Sequence, residues 1–193
     1  SMLSLPQRLK ALECPKGPID MVLDTDAYNE IDDQFAISYA LRSREKLNLK
    51  ALYAAPFLNS RSSSPLDGME KSYEEIIKLL KLADDSADVF KGSGTFLKSE
   101  LEPVDSPAAR DLAARAMSYS PERPLYVVAI GAITNIASAL LMNPTISDSM
   151  VVVWLGGNSV DWPNAKEFNL MQDVAAARVV YNSGVPLVLL PCM

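Results

Sequence analysis

The chain has 193 residues, 49% hydrophobic and 22% charged, a composition that fits one soluble globular domain with a sizeable core. Its net charge is −6, with no run of Lys or Arg, which makes nucleic acid and anionic membrane poor partners on electrostatic grounds and favours a cation or a neutral polar ligand. It has no His and only two cysteines, the distant Cys14 and Cys192, which excludes a Ser-His-Asp triad, a His-ligated metal, a Cys-based zinc site and a disulfide framework.

In chain order, "SMLSLPQRLKALECPKG" lacks the apolar stretch of a signal peptide. No later segment reaches the roughly 20 apolar residues of a membrane span, so the expected location is the cytoplasm. "IDMVLD" (19–24) reads as a buried strand, and Asp32 to Arg42 as a helix with Phe35, Ala36, Tyr39 and Ala40 along one face. "LKALYAA" (49–55) is the next strand. "NSRSSSPLDG" (59–68) reads as a mobile loop, and "GMEKSYEEIIKLLKLA" (68–83) as an amphipathic helix.

"ADVFKG" (87–92) is a short strand ending at glycine. "SPAARDLAARAMSYS" (106–120) is a helix with Ser106 as N-cap and Pro107 in its first turn. "PLYVVAIG" (124–131) is a strand, followed by a helix over "TNIASALLMN" (134–143) that Pro144 stops. "MVVVWLGG" (150–157) is a strand, "VAAARVVYNSG" (174–184) a helix with Gly184 as C-cap, and "VPLVLL" (185–190) a last strand. This β-α alternation, with continuous apolar strands, predicts an α/β fold. Its sheet is mainly parallel and carries helices on both faces. The sequence reads as a single α/β domain over 1–193. The given sequence stops just after a core strand, at "PLVLLPCM", so it is expected to be the N-terminal part of a longer domain.

The segment "MVLDTDAYNEIDDQFAISYA" packs Asp24, Asp26, Glu30, Asp32 and Asp33 between two apolar runs. In parallel sheets, ligands bind beyond the carboxyl ends of strands, and this cluster is placed there. Asp32 and Asp33 also suit a helix start, where they cap and complement the dipole. Asp24 and Asp26 are two apart, so an extended backbone points both the same way. Acids converging at one strand end repel unless a cation sits among them. In a chain without His, that cation is held by oxygen, so Ca²⁺ or Mg²⁺ is favoured. An EF-hand fails, because Tyr28, Asn29 and Phe35 stand at its fifth, sixth and twelfth positions from Asp24. A Mg²⁺-dependent haloacid dehalogenase-like phosphatase, with Asp24 as nucleophile, remains the runner-up. Tyr28 stands where that family wants Thr or Val.

"VLDTDAYNEIDDQFAI" resembles the fingerprint of the inosine-uridine-preferring nucleoside hydrolase family. That fingerprint is a strand, Asp-x-Asp, a short Pro-Gly linker, Asp-Asp and an apolar helix. Here the linker is two residues longer and lacks Pro-Gly. "VAIGAITNIASALLMNP" resembles the family's Gly-x-Leu-Thr-Asn-Ile-Ala segment. "WLGGNSVDWPNAKEFNLMQDVAAARVVYNSGVPLVLLP" resembles its Gly-Gly … Glu-Phe-Asn … Asp-x-x-Ala-Ala segment, and "VFKGS" falls where the family has a strand ending in Gly. The similarity runs from about residue 19 to the end, and the ordered set is more specific than any one motif.

The resemblance implies a Rossmann-like fold and Ca²⁺-dependent hydrolysis of the N-glycosidic bond of ribonucleosides or related N-ribosides, with a small-molecule substrate and an assembly of two or four copies. It makes Asp26 and Asp33 calcium ligands, with Asp26 also the base. It makes Asp32 a ribose ligand and Asp24 a support for the loop. Asn59 resembles an Asn beside ribose and water; as a residue type it also suits a turn. Thr134 resembles a threonine whose carbonyl binds the ion; it also suits an N-cap.

Glu167 and Asn169 resemble a ribose-binding pair. An extended backbone through Phe168 sends both the same way, as it also would in a surface strand. For one further family Asn, spacing lands on Asp161, while Asn164 has the right type and is preferred. Trp162 is the candidate base-pocket aromatic, and Trp154 reads as core. The family has a later calcium-binding Asp, often beside a His, which these residues do not supply. An incomplete or non-catalytic ribose- or Ca²⁺-binding relative is therefore the alternative to a hydrolase.

Overall fold

The structure, a computed structural model, describes residues 3–192. A short helix α1 (Leu5–Ala11) precedes β1 (Ile19–Thr25), α2 (Ile31–Arg42), β2 (Leu47–Ala54), α3 (Pro65–Ala83) and β3 (Asp88–Lys91). The chain continues through α4 (Pro107–Arg115), β4 (Leu125–Ala129), α5 (Thr134–Met142), β5 (Met150–Asn158), α6 (Phe168–Gln172), α7 (Val174–Asn182) and β6 (Leu187–Cys192). The six strands form one sheet in the order β3-β2-β1-β4-β5-β6, and every pairing is parallel. The expected α/β class holds, and the strand order reverses between β1 and β4.

Alternation along β1 divides the core. Val22 packs into a cluster with Tyr53, Leu112, Ile136, Trp154 and Val180 on the face covered by α4, α5 and α7. Met21 and Leu23 point the other way, into a cluster with Ile37, Leu52, Ile76 and Leu80 under α2 and α3. On α2 the buried residues are Asp33, Ile37, Ala40 and Leu41. Phe35 and Tyr39 of the expected apolar face are 67% and 69% exposed. They border an apolar groove of about 650 Å³ that runs over Met21, Leu23, Val128 and Ile130.

Helix termini follow the capping rules. Ser64 and Ser106 accept from the backbone N–H groups of Asp67 and Ala109, each with Pro at the first helical position. Ser64 starts α3 three residues before the expected boundary. The rest of the loop expected to be mobile is tied down. Ser62 Oγ donates to Phe57 O, and Lys71 Nζ donates to Arg61 O. Gly184, just past α7, has φ 82°, the left-handed geometry expected of a helix stop. Two helices were not expected, α1 and the five-residue α6. Both cysteines are free. Among the described residues, no helix is long and apolar enough to cross a membrane.

Candidate functional site at the strand-order reversal

In a doubly wound sheet the crevice opens where the strand order reverses, outside the carboxyl ends of the strands. Asp24 lies there, between Tyr53 of β2 and Ala129 of β4 in register. It is fully buried. Its Oδ2 accepts from Asn135 Nδ2 at 2.8 Å, while its Oδ1 has no partner. Burial pushes its carboxyl up to about 8, against the Asn135 bond, which favours the charged form.

Asn135 is a hub. Its Nδ2 also reaches Ala54 O, and its Oδ1 accepts from Ser93 N–H at 2.8 Å. The end of β3 passes so close that a Cβ on Gly92 would lie 2.0 Å from Ala54 O and 2.4 Å from Asn135 Nδ2. Only glycine fits there.

Asp26 and Asp33 are both buried, and their side chains meet carboxyl to carboxyl. Desolvation raises both above the carboxylate range, and for Asp33 the Asp26 charge adds to it. Asp32, one residue earlier on α2, is exposed. Asn29, in the linker between the two Asp pairs, is buried, and its Nδ2 donates to Asp26 Oδ2 at 3.1 Å. Its Oδ1 accepts from Asn59 Nδ2 at 2.6 Å. The fold thus brings Asp24, Asp26, Asp33 and Asn59 together.

A second half of the site lies across β4, at the end of β5. Glu167 is the N-cap of α6, not part of an extended run through Phe168. The expected extended geometry for the Glu167–Asn169 pair fails because Phe168 already begins the helix. Glu167 Oε2 accepts from the N–H groups of Gly157 and Leu170, and Oε1 from that of Asn169. Asn169 Nδ2 donates to Leu155 O at 2.8 Å and Ile130 O at 3.2 Å, joining the ends of β5 and β4.

Thr134 is not an N-cap; it is the first residue of α5, and Ile133 holds the cap position. Its Oγ1 donates instead to Asp173 Oδ2 at 2.7 Å. Asp173 also accepts from Leu97 N–H and caps α7 through Ala176 N–H.

Trp154 is fully buried and donates to Gly131 O, as expected of a core residue. Trp162 is 52% exposed on the loop after β5. Asn164, on the same loop, is exposed, and its Oδ1 accepts from Lys166 N–H. The apolar groove under α2 carries no carboxylate and is separate from this chemistry.

Asn29, Asn135 and Asp173, which wire the crevice together, were not singled out from the sequence. Asp173 carried a readable signal, an Asp directly before an apolar helix. Asn135 carried only its place in the quoted motif.

The donor set suits a hard cation in part. Asp26 and Asp33 are two oxygen-only carboxylates forced together in a desolvated crevice, an arrangement a divalent ion relieves. Beside them Asp24 Oδ1 has no partner. No third acidic, Cys or His side chain completes a metal-binding group among the described residues.

A doubly wound parallel sheet with an acid cluster at its reversal point defines a small-ligand α/β protein. The chain belongs to the inosine-uridine preferring nucleoside hydrolase family, which it matches over residues 21–193. It is 30% identical over 193 aligned positions to a pyrimidine-specific ribonucleoside hydrolase, RihA, of Klebsiella pneumoniae, covering 89% of this chain and 59% of that protein. The solved purine-preferring ribonucleoside hydrolase from Gardnerella vaginalis is 25% identical, with a TM-score of 0.68 over 88% of this chain and 60% of that one. The type III effector XopQ, solved with adenosine diphosphate ribose, shares the fold at 20% identity and a TM-score of 0.61, over 98% of this chain and 61% of its own. The chain spans about three-fifths of the length of the curated relatives it matches.

Proposed function

We propose that the protein, completed by whatever further residues it carries, hydrolyses the N-glycosidic bond of ribonucleosides or related N-ribosides. The observation that carries this reading is the buried Asp26–Asp33 pair at the reversal point of a nucleoside hydrolase family sheet. Asp26, Asp33 and the carbonyl of Thr134 are assigned to hold Ca²⁺. When bound, that ion lowers the pKa of a water and neutralises the crowded carboxylates.

Asp26 accepts the proton that the attacking water loses as its oxygen bonds to the anomeric carbon. The C–N bond breaks, and its electron pair leaves with the base. Asp32, Asn59, Asn164, Glu167 and Asn169 are assigned to the ribose hydroxyls. Holding the sugar ring toward Asp26 turns an encounter of two molecules into a reaction within one complex. Trp162, half-exposed on the loop after β5, is assigned to the base. The names of the relatives point to purine and pyrimidine ribonucleosides as the substrates to try first. The expected assembly is homo-oligomeric, and the expected compartment is the cytoplasm.

The test is reducing-sugar release from a panel of purine and pyrimidine ribonucleosides, with Ca²⁺ and with chelator. Calcium-dependent release that Asp26→Asn abolishes supports the reading. Silence across the panel from a folded wild-type protein of verified full length overturns it.

A further inference from the structure

We propose that Asn29 is a positioning residue, the link that sets the proton-accepting carboxylate of Asp26 in register with Asn59 on the ribose side. The inference rests on the hydrolase reading for its role in the reaction, and on geometry alone for the link itself. All four polar groups of Asn29 are engaged. Its backbone N–H donates to Asp26 O at 2.7 Å, closing a turn, and its backbone carbonyl accepts from Arg61 Nη1 at 2.5 Å. Its side chain bridges Asp26 Oδ2 and Asn59 Nδ2.

The direction of this chain is fixed from its far end. Arg61 N–H donates to Asn59 Oδ1 at 2.8 Å, and a backbone N–H is only ever a donor. Asn59 must then turn Nδ2 toward Asn29. Asn29 must accept with Oδ1 and donate with Nδ2, and Asp26 Oδ2 must accept. The order Arg61 → Asn59 → Asn29 → Asp26 therefore leaves no freedom to flip either amide. It engages one oxygen of Asp26 and fixes the rotation of its carboxyl. It also spends one Asn59 N–H inward, so the remaining N–H and lone pair are presented in a single orientation.

Asn29 and Asn59 are 30 residues apart and on different loops, so the link joins the β1–α2 linker to the loop after β2. Glu30, its neighbour in the linker, is exposed. The polarity of the linker is thus divided: one residue faces solvent, and the other is spent on the site.

Two substitutions separate this role from loop stability. Asn29→Ala removes both links. Asn29→Asp keeps the acceptor for Asn59 and replaces the donor facing Asp26 by an oxygen. For the full chain without substrate, the probe is the side-chain amide signal of Asn59 in ¹⁵N spectra. Asn29→Ala is expected to move that signal to the position of a solvent-facing amide and to speed its exchange about tenfold or more. Asn29→Asp should preserve both.

With a hydrolysed riboside, Asn29→Ala should lower kcat/KM roughly 10- to 100-fold. Asn29→Asp should lower kcat with little change in KM. The double variant Asn29→Ala/Asn59→Ala should lose no more than the worse single variant. An Asn59 amide signal unchanged in Asn29→Ala overturns the link. Single losses that multiply in the double variant overturn the shared role. If the wild type hydrolyses no riboside, the hydrolase reading falls separately, and the amide spectra still decide the link.

Discussion

Two groups of buried acids flank β4, and they are treated oppositely. On the β5–α6 side Glu167 accepts three backbone N–H bonds, and Asp173 accepts two N–H bonds and a threonine hydroxyl. On the β1–α2 side Asp24 has an oxygen with no partner, and Asp26 and Asp33 press against each other. A carboxylate ringed by donors is a building part: it caps a helix and ties strands. A buried carboxylate given fewer donors than its oxygens can take is costly to the metal-free fold, and a cation supplies the remainder. Within a single crevice the contrast separates acids the fold has satisfied, Glu167 among them whatever ribose contact it adds, from acids left short of donors.

The largest break in this comparison is chemical. Asp26→Asn should lower riboside kcat by about 10³-fold or more while the thermal midpoint without metal stays level or rises, since a crowded charge is removed. Steady-state rates and a melting curve on the same preparation check both arms. Next comes the satisfied side. Asp173→Ala strips three donors of their acceptor and should cost about 3 kcal/mol of stability, read from the denaturant midpoint. If Asp173→Ala is as mild as Asp26→Asn, the distinction between the two groups fails.

The third prediction sharpens the sign. Asp24 holds its proton in the fold up to about 8, where the unfolded chain has lost it near 3.8. Between those values the folded state binds more protons, so metal-free stability declines as pH rises through that window. Melting curves from pH 4 to 9 should show the fall, and Asp24→Asn should make it shallower, the rest coming from Asp26 and Asp33, whose carboxyls burial also raises. Adding Ca²⁺ should recover stability at the upper end, with a midpoint that climbs with ion concentration. The smallest effect is expected for Glu167→Gln. It keeps one acceptor oxygen in place and should cost about 1 kcal/mol by the same denaturant measurement.

How much of this was legible depends on whether the signal is local. The strands were readable because a strand buried on both faces is a continuous apolar run, as in "MVVVWLGG". The caps at Ser106 and Gly184 were readable because capping is a property of neighbouring residues. Helix α1 was missed although Ser4 and Gln7 form a capping box and Leu5, Leu9 and Leu12 recur at helical spacing; those leucines stay exposed. Helix α6 was missed because five residues are too few for a period. The acid cluster stood out through density alone. Its wiring did not, since Asn29 meets Asn59 across 30 positions and Asp24 meets Asn135 across 111. Thr134 shows the same limit: a side chain suited to capping was drawn to a distant carboxylate.

The all-parallel order has a kinetic consequence. No two strands are joined by a hairpin, so every pairing waits on a crossover, and such topologies fold slowly for their size. The contact between Asp24 and Asn135 requires β1 to find β4 across three intervening crossovers. The crevice therefore does not exist in any partly folded chain that lacks that pairing. A fluorescent lanthanide, standing in for Ca²⁺ during refolding, would light up only when the central pair of strands has closed, and so would time that pairing.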